Sequence, residues 1–112
     1  SDVSGELLPL SGGAMLTYKA AYYFEDDAEH GWVSGHVVDF SAAISQGRGL
    51  DAARRMLAAA LVDVAETYVL DGRSLPAPDP TQSDPDADLE EPIYLLLEAA
   101  SHVRVIPEEA TA

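Results

Sequence analysis

The sequence contains no cysteine, so neither a disulfide nor a thiolate can take part in its chemistry, and nothing hints at an oxidising compartment. Long apolar runs are missing as well. No stretch reaches the roughly 18 consecutive apolar residues of a membrane span, and no basic, apolar leader is read at the N-terminus. Membrane association is therefore not expected, and cytoplasm is the expected location. Positive charge is the third scarcity: Lys19, Arg48, Arg54, Arg55, Arg73 and Arg104 stand against 20 acidic residues, for a formal net charge of −14. Nucleic-acid affinity comes largely from lysines and arginines that displace counterions, so so few dispersed cations exclude direct binding of DNA or RNA as an expectation. Such a field suits a basic protein partner better.

The 112 residues that remain to be organised are enough for one domain with a single modest core. Residues 1–14 are small, polar and glycine-bearing, and read as a flexible tail. From Met15 to Phe24 the chain alternates, with Leu16, Tyr18, Ala20, Tyr22 and Phe24 on one side, which is strand patterning in suitable residue types. Glu25 to Gly31 reads as an acidic hairpin connection and Trp32 to Val38 as a second strand. Asp39 to Ala42 is expected to turn the chain, and Ala43 to Gln46 to form a short third strand. Together these make a three-stranded antiparallel meander.

Leu50 to Asp71 reads as one long helix. Leu50, Ala53, Leu57, Ala60, Leu61, Val64 and Tyr68 recur at three- and four-residue spacing, so one face is built to cover a sheet. Gly49 falls at the N-cap position with Asp51 in the first turn, where a carboxylate favours the helix dipole. Gly72 is placed for the left-handed residue that closes helices, and Pro76 and Pro78 follow. Residues 79–92 then interleave prolines with acids and read as an exposed, solvated loop. Within Ile93 to Ile106, Leu95 to Ala100 has helical propensity whereas Ser101 to Ile106 alternates; extended structure is expected, broken near Ala99 to Ser101. The domain is thus set at residues 15–106, with 107–112 a second tail. The fold class is α+β: strand, strand, strand, helix packed on the sheet, and a further C-terminal strand.

No chemistry announces itself. An active two-metal nuclease of ribonuclease-H type needs a carboxylate in the middle of its first strand, and Met15 to Phe24 has no acid. Asp39 and Glu66 alone do not make that site, so catalysis is not expected. His30, His36 and His102 lack ligand spacing, and only a sheet that brought His36, His102 and Asp39 together could hold a metal; no metal or cofactor is expected. Trp32, Tyr18, Tyr22, Tyr23 and Tyr94 could stack bases, but strand aromatics are more often core or subunit contacts. Arg48, Arg54 and Arg55 could dock an anion or pair with Asp51 and nearby acids, and pairing is the expectation. An uncovered sheet edge favours a homodimer through strands.

The segment Val38-Asp39-Phe40-Ser41-Ala42, then Ile44-Ser45-Gln46-Gly47, then Leu50-Asp51-Ala52-Ala53, then Gly72-Arg73-Ser74-Leu75-Pro76-Ala77-Pro78 resembles, in order and spacing, the N-terminal domain of HicB-type antitoxins. The likeness covers Met15 to about Pro78. It departs at Val38 and Ser41, where the family favours prolines, and at Ala42, where it favours glycine. The resemblance implies a partial ribonuclease-H-like fold and a non-catalytic role in neutralising a small basic mRNA-cleaving toxin of the HicA type. Family members often carry a C-terminal DNA-binding domain, for which too few residues follow Ile106, so operator binding by this chain is not expected. Partner contacts are expected at the motif positions Asp39, Gln46, Gly47 and Asp51, and from charge at Asp84, Asp86, Asp88, Glu90 and Glu91. The competing reading is a stand-alone homo-oligomeric adaptor of the same fold.

Overall fold

The alternation from Leu16 to Phe24 becomes strand β1 (Ala14–Phe24), with Tyr18, Ala20 and Tyr22 buried on one face. The computed structural model describes residues 14–98 and 102–106; the expected tails, apart from Ala14, and the expected break at 99–101 lie outside them. β2 (Trp32–Val37) pairs antiparallel with β1, Ala20 opposite Val37 and Phe24 opposite Val33. The connection between them is held by its own acid: the Asp27 carboxylate accepts the backbone N–H of Glu29 at 2.7 Å, which holds that carboxyl below its usual range.

The next turn is shorter than expected. Only Val38 and Asp39 turn the chain, and β3 starts at once, as Phe40–Arg48 instead of Ala43–Gln46. Phe40 explains this. It is buried against Tyr18, with ring centroids 5.8 Å apart, and meets Tyr68 of the helix edge-on at 5.0 Å, so the chain is anchored to the core directly after the turn. The cost is a bulge: Val37 pairs with Phe40 but His36 with Ile44, leaving Ser41, Ala42 and Ala43 between.

Helix α1 (Leu50–Leu70) starts from Gly49, whose φ of 87° and lack of room beside the Glu29 carbonyl leave no place for a side chain. It ends as the glycine pattern requires: Gly72 has φ 72°, and Arg73 N–H closes on the Tyr68 carbonyl at 2.8 Å. Ala53, Leu57, Leu61 and Ala65 form its fully buried stripe. Close approach to the sheet comes at Gly47, where a Cβ would stand 2.7 Å from the Ala53 nitrogen. The sheet side of this core is Tyr18, Ala20, Tyr22, Val33, Val37, Ala43, Ile93 and Leu95.

After the helix come β4 (Leu89–Glu98) and β5 (His102–Ile106), so the expected C-terminal extended segment is a strand on each side of 99–101. The sheet order is β3-β2-β1-β4-β5, antiparallel throughout, with Leu16 opposite Leu95 and Leu95 opposite Val105. β4 begins inside what reads as the acidic loop, so that loop ends at Asp88 and not at Pro92. Its composition concealed the strand. Proline is tolerated there because, among the described residues, β5 reaches only to Tyr94 and no strand lies outside β4 at Pro92. Among the described residues, no helix is long and apolar enough to cross a membrane.

Candidate functional site

The site grows from the second face of the sheet. On β1 the residues that alternate with the core, Lys19, Ala21 and Tyr23, point away from α1. Ala21 is nevertheless fully buried, as a residue on an open face would not be. The segment 79–88, expected as a solvated loop, runs against this face and is fastened along its length.

Each fastening uses a group far away in the chain. Tyr18, from the core side, donates its hydroxyl to the Pro76 carbonyl at 2.7 Å, bringing the chain to the edge of the sheet. Asp39, in the turn between β2 and β3, accepts the backbone N–H of Asp79 at 2.8 Å. Lys19 Nζ donates to the Gln82 carbonyl at 2.6 Å, and lies 3.4 Å from that of Pro80. The Tyr23 hydroxyl donates to the Asp84 carboxylate, while His36 stacks on the Tyr23 ring at 5.7 Å with its Nδ1 3.4 Å from the same hydroxyl. Glu90 accepts the Asp84 N–H at 2.6 Å and the Ser83 hydroxyl. Asp88 closes the strap, accepting the N–H of Phe24 at 2.7 Å while its own N–H goes to the Tyr22 carbonyl.

Burial and the strap shape the local acid–base behaviour. Tyr23 is pushed up to about 12, first by desolvation and then by the carboxylates of Asp84, Asp86 and Glu90. Asp84 is held low by the Tyr23 hydroxyl and the Asp86 N–H, and Asp79 by the hydroxyl and N–H of Thr81. Where the strap crosses β1 and β4 it leaves a half-open cavity of about 290 Å³, whose rim carries the acids Asp39, Asp79 and Glu90 against the single cation Lys19. Such a rim can accept hydrogen bonds and positive charge. It offers no nucleophile paired with a base.

The nine expected contact residues therefore divide into groups. Asp39, Asp84, Asp88 and Glu90 are joined by the strap, with Asp86 exposed on its outer side. Glu91 belongs to the other face. Its side chain, 18% exposed, is gripped by the fork of Arg54, with Nε and Nη2 at 2.9 and 2.8 Å, and this pairing holds the Arg54 guanidinium above its ordinary value. Gln46, Gly47 and Asp51 lie at the opposite end of β3 from Asp39, where β3 hands over to α1. Gln46 is exposed, Gly47 is buried as a spacer under the helix, and Asp51 is exposed 3.3 Å from Arg54. The structure does not bring the two ends of β3 into one site.

Other candidates separate too. Tyr18 and Tyr22 are core residues, pushed up to about 12 chiefly by burial, whereas Tyr23 stands on the strapped face. Trp32 is exposed and carries the Arg48 guanidinium over its ring at 4.8 Å, so these aromatics do not form one stacking platform. His30 pairs with Asp27 at 3.1 Å, and His36 is taken up by Tyr23. Among the described residues no group of three His, Asp or Glu could hold a metal ion. The residues that sequence reasoning missed are Lys19 and Tyr23, the strap's anchors. Their signal was present: they are the polar members of an otherwise apolar alternation. Compared with known proteins, the chain matches no family model, no curated protein and no solved structure.

Proposed function

We propose that this chain is a non-catalytic, HicB-like antitoxin or antitoxin-derived protein that binds and neutralises a small basic mRNA-cleaving toxin of the HicA type. The observation that carries the reading is charge held in place: Asp39, Asp79, Asp84, Asp88 and Glu90 are fixed along one face of a protein of net charge −14, with Asp86 exposed beside them. Preorganised acids meet a cationic surface without paying the entropy of ordering a mobile loop, and long-range attraction raises the encounter rate. Covering the cationic surface that a nuclease uses to hold RNA would be enough to silence it, with no bond made or broken. The ordered likeness at residues 38–53 and 72–78 supports the same family. The protein acts in the cytoplasm, without cofactor, membrane or direct nucleic-acid contact.

Co-expression with a small basic toxin of the HicA type tests it. The expected result is rescue of growth and co-purification, with affinity falling steeply as salt rises. Neutralising Asp84, Asp86 and Asp88 together should weaken capture. Absence of any captured basic protein shifts the reading to a stand-alone homo-oligomeric adaptor, which the edge of β3, unpaired among the described residues, favours.

A further inference from the structure

β3 is the outermost strand on its side of the sheet, and among the described residues no strand pairs with its free edge. An unpaired edge is a template for another strand, and natural proteins blunt such edges with charge or proline, or cover them. β3 has neither proline nor acid between Phe40 and Arg48, in a chain that carries −14 overall.

Three of the large apolar residues left exposed lie on this side, while Met15 on β1 and Leu70 at the end of α1 lie elsewhere. Ile44 is 64% exposed at the middle of β3, and Trp32 is 43% exposed on the same sheet face of neighbouring β2. Met56 of α1, 54% exposed, belongs to the same side of the molecule. Arg54 turns one flank of the helix to Glu91 on β4, and at about 100° per residue Ala52, Met56 and Ala59 fall on the opposite flank. That flank lies towards β3, where Gly47 packs under Ala52 and Ala53. Its acids, Asp63 and Glu66, lie about two turns or more beyond Met56. Two copies of so anionic a chain repel one another over most of their surfaces, but not along this edge. A cationic partner, conversely, finds no carboxylate on β3 to pair with.

The bulge at Ser41, Ala42 and Ala43 interrupts the strand and leaves Ile44–Arg48 as the regular stretch, with Gln46 at its midpoint. We propose that this edge takes a second copy of the chain, the two β3 strands pairing antiparallel through Ile44–Arg48 about a two-fold axis at Gln46, so that two sheets continue as one. In this register Ile44 of each copy faces the Arg48 stem of the other, beside the Trp32 ring that Arg48 already covers. The α1 flanks bearing Met56 approach over the seam. The inference does not depend on the toxin reading, because it uses the neutral edge and not the acidic face.

The absence of native cysteine makes the test direct. Opposed residues of an antiparallel pair have Cα atoms about 4.5–5.5 Å apart, within the span of a disulfide. Mild oxidation is expected to link Gln46→Cys chains to one another, while Thr17→Cys, exposed on β1, stays unlinked. Sedimentation should give a wild-type particle of twice the 11.9 kDa chain mass. Ile44→Lys changes an exposed side chain and sets it against Arg48 of the other copy twice over, so it should raise the dimer Kd about 100-fold. Circular dichroism of the Ile44→Lys monomer should match wild type. A wild-type chain monomeric at about 100 µM, a dimer indifferent to Ile44→Lys, or Gln46→Cys chains that do not cross-link overturns the proposal.

Discussion

The two faces of this sheet are held by different forces. Under α1, Leu57, Leu61, Ala53 and Ala65 meet Tyr18, Tyr22, Val33, Ile93 and Leu95, and apolar burial does the holding. On the far face, segment 79–88 is fastened by backbone amides, a lysine and a tyrosine hydroxyl, nearly always with a carboxylate or carbonyl as acceptor. The first arrangement is non-directional and tolerates acid. The second is directional and made largely of groups that titrate, so the same molecule carries a face fixed by hydrophobicity and a face fixed by ionised acids.

The largest break in that comparison should come from the apolar side. Leu57→Ala empties a fully buried position, and denaturant unfolding should show a loss of about 2–5 kcal/mol. Gly47→Ala drives a methyl towards the Ala53 nitrogen at the helix–sheet junction. Its expected cost is about 1–3 kcal/mol in the same measurement, less if α1 slides outward. Tyr23→Phe removes the hydroxyl that holds Asp84 on the strapped face. Because the pair is partly solvated, global stability should fall by only about 0.5–1 kcal/mol, while hydrogen exchange of the amides from Asp79 to Asp88 should quicken.

The pH response sharpens the contrast without mutation. Asp79 and Asp84 are lowered in the folded chain, so their stabilising contribution is present above the ordinary carboxylate range and is lost as pH falls through their folded values. Below about pH 4 the strap amides should lose exchange protection before those of α1 do. Alkali acts on the other face as well. Tyr18 and Tyr22 are raised to about 12, so the stability tied to their neutral forms persists below their unfolded value near 10 and disappears as pH rises towards 12. Near-ultraviolet absorbance and unfolding followed together across that window should show core loss accompanying phenolate formation. If acid instead unfolds both faces in one step, the strap is an integral part of the core.

Much of the helix-side architecture was legible because its causes are local and periodic. The alternation of Leu16 to Phe24, the spacing of Ala53, Leu57 and Leu61, and the glycines at 49 and 72 each constrain the chain within a few residues, and the structure realises all of them. The immediate return at Phe40 was hidden because its reason is contact with Tyr18 and Tyr68, which no local pattern displays. The opening of β4 was hidden behind Glu90, Glu91 and Pro92, whose composition is that of a loop. Of the candidate contact residues, sequence pointed to the acids, but not to which of them are employed in holding the structure itself.

Sequence alone determined the charge, the absence of thiol chemistry, the succession of three strands, a helix and C-terminal extended structure, and most of the stripe that α1 buries, since these follow from composition and from short-range periodicity. Tertiary structure decided the rest. Only folding could set Asp84 against Tyr23, 61 residues away, or Glu91 within reach of Arg54, 37 residues away, because a hydrogen bond or ion pair depends on distance in space and leaves no period along the chain.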